Sequence, residues 1–417
     1  MPGTATRMNI LNIRCILDKP VIVIRMFILQ TIGGFSDDGT TGGGVLHLVG
    51  LANEWLKLGN EVHFISNTSD QGKRVYSHIS NLYHLPSYGH SFLIDMFVNF
   101  KIQKKFLESI IKTSLDNGTG SNIIVAASPY TSDVLAAFYI SHRFKLPAVV
   151  YFHHLSLPPW HHPLKRGGFV RTTINWALNQ MALTLAKLGG MIPAIDHPIE
   201  ITDAGWRFSN GVLRDDNALP LQNAENLQQD KEFEACFIGR IAINKGVVDL
   251  MNIWRIVCTS KPLSKMVIAG KLSYSSLGKK LHKLRKKLKL ESNVTFIFRH
   301  ITEEAKHDIL CRSKLFLFPS YEEGWSLSVM ESAAYGILPI TYDLAAYNYL
   351  GPKAVKAKPG DIEGFARKTI KFLDETDNRI KLASDLRERV MAFRLPDIAE
   401  YQLKKFEQFI RYGRIID

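Results

Sequence analysis

Residues 315–341 read LFLFPSYEEGWSLSVMESAAYGILPIT. The apolar run 315–318 stops at Pro319, a turn carrying Gly324 follows, a helix is expected over 326–335, and a second apolar run fills 338–341. Short runs without polar alternation are strands buried on both faces, and an amphipathic helix between two of them makes a parallel crossover. The same unit recurs upstream, with strands expected over 235–238, 266–269 and 294–298 and helices over 245–260, 274–290 and 302–312. Further helices are expected over 361–374 and 396–411. A polar stretch over 210–230 interrupts the rhythm. Before it lies a first set, with strands over 21–29, 61–66, 122–127 and 148–152 and helices near 45–58, 92–115, 131–144 and 164–188. The pattern predicts an α/β chain of two doubly wound, Rossmann-like domains facing a cleft. An extension over 1–19 precedes a first domain over 20–210, a linker over 211–230 and a second domain over 231–395, and a C-terminal helix over 396–417 packs back on the first. Ligands of such domains lie at the carboxyl ends of the strands.

Size and composition agree with this reading. A chain of 417 residues exceeds one hydrophobic core and suits two. Its 46% hydrophobic and 22% charged content is that of a soluble globular protein. Cys15, Cys236, Cys258 and Cys311 form no CxxC pair, which fits reduced thiols in the cytoplasm better than disulfides or a zinc site. Lys and Arg total 52 against 39 Asp and Glu, a net charge of +13 spread over both halves. Such a field suits pyrophosphate, an anionic membrane or nucleic acid. No stacking motif or recognition helix supports nucleic acid, which is therefore not an expected partner. No uncharged apolar run reaches the length of about 18 residues that spans a bilayer. The apolar stretch 20–30 carries Arg25 and no cleavage site, so it reads as a buried strand and not as a secretion signal, with Met26 an alternative start.

The chemistry gathers at strand ends. Backbone N–H groups of Gly324, Trp325, Ser326 and Leu327, where a helix opens, can receive a pyrophosphate. Glu323 lies in the turn and Glu331 about five residues into the helix. A carboxylate accepts two charge-assisted hydrogen bonds and so suits paired sugar hydroxyls, although spacing alone fits ordinary helix acids as well. Gly239 and Arg240 end a strand, and Lys245 and Gly246 open a helix. Two cations there would neutralise a departing diphosphate. In the first half, Gly33, Gly34, Gly42, Gly43 and Gly44 bracket a polar loop where backbone can approach a ligand, without GxGxxG spacing. His153 and His154 end a strand at the expected cleft edge. The string HHLSLPPWHH adds His161 and His162, but no Asp, Glu or Cys joins the four, and no metal is expected.

These residues resemble family 4 of the retaining glycosyltransferases, enzymes of GT-B fold. The family's Glu-x7-Glu run is followed nearly throughout 319–339, and its Gly-Arg and Lys-Gly elements correspond to Gly239, Arg240, Lys245 and Gly246. Its first-helix pattern is matched from Gly43 through Leu51, Ala52, Leu56, Gly59, Glu61 and Val62, its strand-ending His by His153, and its interdomain N-G-V by Asn210, Gly211 and Val212. The resemblance covers about 26–375. It implies that the first domain takes the acceptor and the second the donor nucleotide. Arg240 and Lys245 would bind the donor diphosphate, Glu331 would grip the ribose, and Glu323 would contact the sugar. Gly43 and Gly44 would approach the phosphate, and His153 would sit beside sugar and acceptor. It further implies hexose transfer without metal or cofactor, from a UDP- or GDP-sugar to a glycan or lipid-linked acceptor, by front-face departure and attack. Departures at Leu213, Phe298, Ser332 and Lys271-Leu272-Ser273 bear on base choice and loop shape.

Two basic segments bear on the acceptor. The stretch 92–115 mixes Phe with Lys101, Lys104, Lys105 and Lys112, and 158–171 adds Trp160, Lys165, Arg166 and Arg171. They suit an anionic bilayer, or an ordinary helix with Phe and Ile in the core, so peripheral contact with the inner membrane face stays open. The run 279–290 belongs to a helix with Leu277, Leu281, Leu284 and Leu288 on one face and a basic back. Other readings are a GT-B sugar-nucleotide epimerase and a catalytically silent nucleotide-sugar-binding subunit. The former should lack the Glu-x7-Glu context, and the intact cations and acids oppose the latter.

Overall fold

The computed structural model describes residues 23–30, 43–66, 81–85, 100–116, 120–153, 169–195, 204–218 and 231–416, together with 155, 158 and 201. In the first domain the order is β1 (Ile24–Gln30), α1 (Gly43–Lys57), β2 (Glu61–Ser66), β3 (Asn81–His84), α2 (Phe100–Asp116), β4 (Ser121–Ala126), α3 (Thr131–Phe144), β5 (Ala148–Phe152), α4 (Phe169–Leu188), β6 (Ile192–Ile195) and β7 (Leu213–Arg214). All pair in parallel, in the order β3-β2-β1-β4-β5-β6-β7. Met26 of the central strand faces Val62 on one side and Ile123 on the other, all three buried. Arg25 interrupts this apolar strand without penalty because Glu61, the Ser114 carbonyl and Asn122 each accept from its guanidinium, at 2.7, 3.0 and 3.3 Å.

The second domain runs β8 (Phe233–Ile238), a 3-10 turn (Ile243–Lys245), α5 (Val247–Ser260), β9 (Met266–Ala269), α6 (Ser275–Lys287), β10 (Val294–Ile297), α7 (Glu303–Cys311), β11 (Ser313–Phe318), α8 (Leu327–Ala334), β12 (Leu338–Tyr342), a second 3-10 turn (Ala345–Leu350), β13 (Val355–Ala357), α9 (Ile362–Asp374) and α10 (Thr376–Met391). Its sheet, also all parallel, has the order β10-β9-β8-β11-β12-β13. Counted within each domain, the two sheets share one plan: third, second, first, fourth, fifth, sixth. Strand order reverses between β1 and β4 and between β8 and β11, the positions at whose carboxyl ends open parallel sheets bind ligands.

The last helix, α11 (Leu395–Tyr412), returns to the first domain. It starts with proline in its first turn and ends on Gly413 in the left-handed region. Ile398, Ala399, Phe406 and Phe409 are buried in the same core as Met26, Trp55 and Tyr151. Trp55 donates its indole N–H to the Ala399 carbonyl and packs edge-on against Phe406.

Short strands β3, β6, β7 and β13 and helix α10 add to the elements expected from sequence. Within the polar stretch after Asn210, Leu213–Arg214 joins the first sheet and Asp215, Asn217 and Ala218 are buried, so the chain leaves the first domain later than its composition suggests. The expected extension 1–19, residues 219–230 of the linker, and 92–99 of the helix expected over 92–115 lie outside the described residues. Among the described residues no helix is long and apolar enough to cross a membrane.

Candidate active site

Strands β8 and β11 flank the reversal in the second sheet, and the chain leaving each one carries chemistry. Gly246 adopts φ 69° at the end of the 3-10 turn, and a Cβ placed on it would overlap the Pro319 carbonyl. Glycine is needed there on both counts. Around this contact, Tyr321 N–H donates to the Asn244 carbonyl at 2.9 Å, Ser320 Oγ to the same carbonyl at 3.3 Å, and Asn244 Nδ2 to Glu322 Oε2 at 3.3 Å. Asp249, in the first turn of α5, accepts from the hydroxyls of Tyr321 at 2.5 Å and Tyr342 at 2.7 Å. Two segments far apart in sequence are thus one rigid wall. Gly246→Ala is expected to destabilise the second domain by about 1–3 kcal/mol. An unchanged thermal melting curve for that variant would refute the abutment.

On this wall Lys245 and Glu323 meet. Lys245 Nζ lies 2.5 Å from Glu323 Oε1 and 3.3 Å from the Glu322 carbonyl, and the two side chains are only 15% and 8% exposed. Gly239 closes β8, and Arg240 follows it exposed, with no acid paired to it among the described residues. Gly324 stands half-buried between Glu323 and Trp325.

Helix α8 opens at Ser326, a non-glycine residue at φ 60°, ψ 78°. Such a backbone is uncommon and marks a position held by its surroundings. The Ser326 carbonyl accepts from Val329 and Met330 at 3.1 and 3.2 Å, so the N–H groups of Leu327 and Ser328 have no partner within the helix. Trp325 does not present its ring to a ligand. It is buried, stacks on Tyr349 with centroids 4.6 Å apart, and meets Phe393 edge-on. Only its backbone remains for the donor-binding role expected from sequence.

Glu331 lies further along α8 and does not bond the Lys245–Glu323 pair. Its Oε1 receives Lys306 Nζ from α7 at 2.6 Å, and Lys306 also reaches Glu303 Oε2 at 2.8 Å. Burial pushes the Glu331 carboxyl up, with Lys306 opposing. Burial acts against the Lys306 ammonium, but its two carboxylate partners override it and raise its pKa.

On the first-domain side, the loop after β5 lays the His153 ring against α1, where a Cβ on Gly44 would overlap it. Gly43 opens α1 directly before. The Ala127 carbonyl, at the end of β4, lies 3.0 Å from His153 Nε2. A carbonyl only accepts, so Nε2 carries the hydrogen and Nδ1 keeps a lone pair, buried and without a hydrogen-bond partner. Burial lowers the His153 pKa, favouring this neutral form.

One cluster escaped the sequence. Asp215 Oδ1 accepts from His47 Nε2 at 2.9 Å and from Gln402 Nε2 at 2.7 Å, and Gln402 Oε1 accepts from the Tyr151 hydroxyl at 2.7 Å. All four residues are buried. They tie α1, the chain after β7, α11 and β5 together directly behind Gly44 and His153. The signal was present: Asp215 stands two residues after Leu213, where the resembled family carries an Asp.

Among the described residues no three His, Cys, Asp or Glu side chains gather to hold a metal, and His154, His161 and His162 lie outside those residues, as do Gly33, Gly34 and Gly42.

Residues 220–390 match the family described as glycosyl transferases group 1. The chain is 24% identical over 204 residues to the phosphatidylinositol N-acetylglucosaminyltransferase gpi3 subunit of Schizosaccharomyces pombe, covering 46% of this chain and 44% of that protein. It therefore spans less than half the length of that relative. It is 23% identical over 319 residues to an uncharacterized glycosyltransferase of Haemophilus influenzae, covering 75% and 80% of the two chains. Anabaena HepE, solved in complex with UDP and glucose, superposes with a TM-score of 0.68 at 14% identity, covering 93% of this chain and 100% of that one. Residues 220–390 thus carry the sequence pattern of the glycosyl transferases group 1, and the two domains together have the GT-B fold.

Proposed function

We propose that this protein transfers a hexose-type sugar, with retention of anomeric configuration, from a UDP- or GDP-sugar to a glycan or lipid-linked acceptor of cell-surface polysaccharide or glycoconjugate synthesis. The observation that carries the proposal is Lys245 held against Glu323 at the reversal point of the second sheet, beside the helix start at Leu327. A diphosphate seated there meets the Lys245 ammonium, the Arg240 guanidinium and the first backbone N–H groups of α8. These groups stabilise the charge that collects on the leaving diphosphate, the task a metal ion performs elsewhere. Glu323, released from Lys245, is free to accept from sugar hydroxyls, and Glu331 from the ribose. On this reading His153 of the other domain would sit beside sugar and acceptor, with Nδ1 as its acceptor atom. The departing phosphate takes the proton of the incoming hydroxyl on the same face, so no separate base is assigned.

UDP is favoured by the complex known for HepE, and a lipid-linked acceptor by the phosphatidylinositol in the name of the gpi3 relative. Peripheral contact with an anionic bilayer is supported by α6 and the turn after it, where Lys279, Lys280, Lys283, Lys286, Lys287 and Lys289 are exposed. Helix α2 contributes exposed Lys101, Lys105, Phe106 and Lys112. The other first-domain candidates, Trp160, Lys165 and Arg166, lie outside the described residues.

Thermal denaturation with UDP-, GDP- and ADP-sugars tests donor class. A ligand at about 100 times its Kd adds about 2.7 kcal/mol of stability, which is a clear upward shift. A UDP- or GDP-sugar is expected to give it; no shift with either would defeat the donor assignment. Proton NMR of the first product formed should show the donor's anomeric configuration kept, and an inverted product would defeat retention.

A further inference from the structure

We infer that Lys306 is a positioning residue for the donor: by occupying Oε1 of Glu331 it fixes that carboxylate so that Oε2 alone meets the ribose. The inference rests on the proposed role of Glu331. No residue of the family resemblance points to Lys306; the geometry does. Helix α7 is anchored at its start, where Thr302 Oγ1 accepts from the Ala305 N–H at 3.3 Å. Lys306 lies one turn in and crosses to α8, where its Nζ stands 2.6 Å from Glu331 Oε1. Its other carboxylate partner, Glu303, is 83% exposed, so that contact is the more open of the two to screening by water. The Lys306 and Glu331 side chains are only 16% and 21% exposed, so their bond is shielded from competing water. No described residue bonds Glu331 Oε2.

A carboxylate on a freely rotating side chain offers either oxygen to a ligand and loses conformational freedom on binding. With one oxygen held, Glu331 is already turned as the ribose requires. Lys306 therefore contributes to donor affinity without touching the reacting centre. A residue that only joined α7 to α8 would support stability and leave the donor KM alone.

The test uses the full chain and compares wild type with K306M, K306R, E331A and the K306M/E331A double variant. The readouts are kcat, donor KM, the melting temperature, and calorimetric Kd for UDP or GDP, whichever stabilises the wild type. K306M, which keeps the apolar stem, is expected to raise donor KM and Kd about tenfold with kcat within about twofold. K306R should recover most of the affinity, and K306M should add nothing in the E331A background. If E331A weakens donor binding but K306M changes only the melting temperature, or lowers kcat and affinity together, Lys306 is no positioning residue. If E331A itself leaves KM and Kd unchanged, the ribose role of Glu331 fails, and the inference fails with it.

Discussion

Lys245→Ala should slow sugar transfer by about 100- to 1000-fold, equivalent to about 3–4 kcal/mol of transition-state stabilisation. Two facts set this scale. The ammonium is largely withdrawn from water and held on a rigid wall, so its field is weakly screened and needs no rearrangement as charge moves to the diphosphate. The negative charge is greatest as the glycosidic bond breaks, so the loss should fall on kcat more than on KM. Removing Lys245 also leaves Glu323, 8% exposed, without its cation. Lys245→Arg separates the two effects, because it keeps a charge beside Glu323 but moves it. Steady-state kinetics and melting curves on both variants are the measurement. A Lys245→Ala enzyme within tenfold of wild-type kcat would remove Lys245 from the chemistry.

Asp215→Ala should destabilise the first domain by about 3–5 kcal/mol. The carboxyl group accepts from His47 and Gln402 in a site where all three are buried. Alanine would leave two donors and the Tyr151–Gln402 pair around an empty space, and buried polar groups without partners are costly. Asp215→Asn keeps one acceptor oxygen and should lose less. Chemical denaturation followed by tryptophan fluorescence is suited to the comparison, since Trp55 lies in the same core. A loss below about 1 kcal/mol for alanine would show that the cluster is an incidental contact.

Much of the fold was legible because parallel strands buried on both faces advertise themselves. Residues 315–318, 235–238 and 266–269 are apolar without alternation, and each is followed by a glycine or proline. Four-residue β3, exposed or half-buried along its length, gives no such run, and β7 is a two-residue pairing inside a polar stretch. Helix α10 escaped notice because its apolar residues are few and one of them, Ile380, faces water. At the site, residue types and spacing pointed to Lys245, Glu323, Glu331 and Arg240. They could not tell that Gly246 abuts Pro319, that the Trp325 ring is spent in the core, or that Lys306 holds Glu331. Those are contacts between segments whose distance in space no local pattern encodes.

The return of α11 to the first domain also sets an order of events at the ribosome. Phe406 and Phe409 complete a core whose other walls are translated before residue 219. At about 5–20 residues per second, the earlier half waits roughly 10–40 s with an uncovered apolar seat before its last stave is synthesised. Nascent chains stalled between the two domains should therefore be strong chaperone clients, and maturation of the half made first should be timed by the arrival of the helix made last.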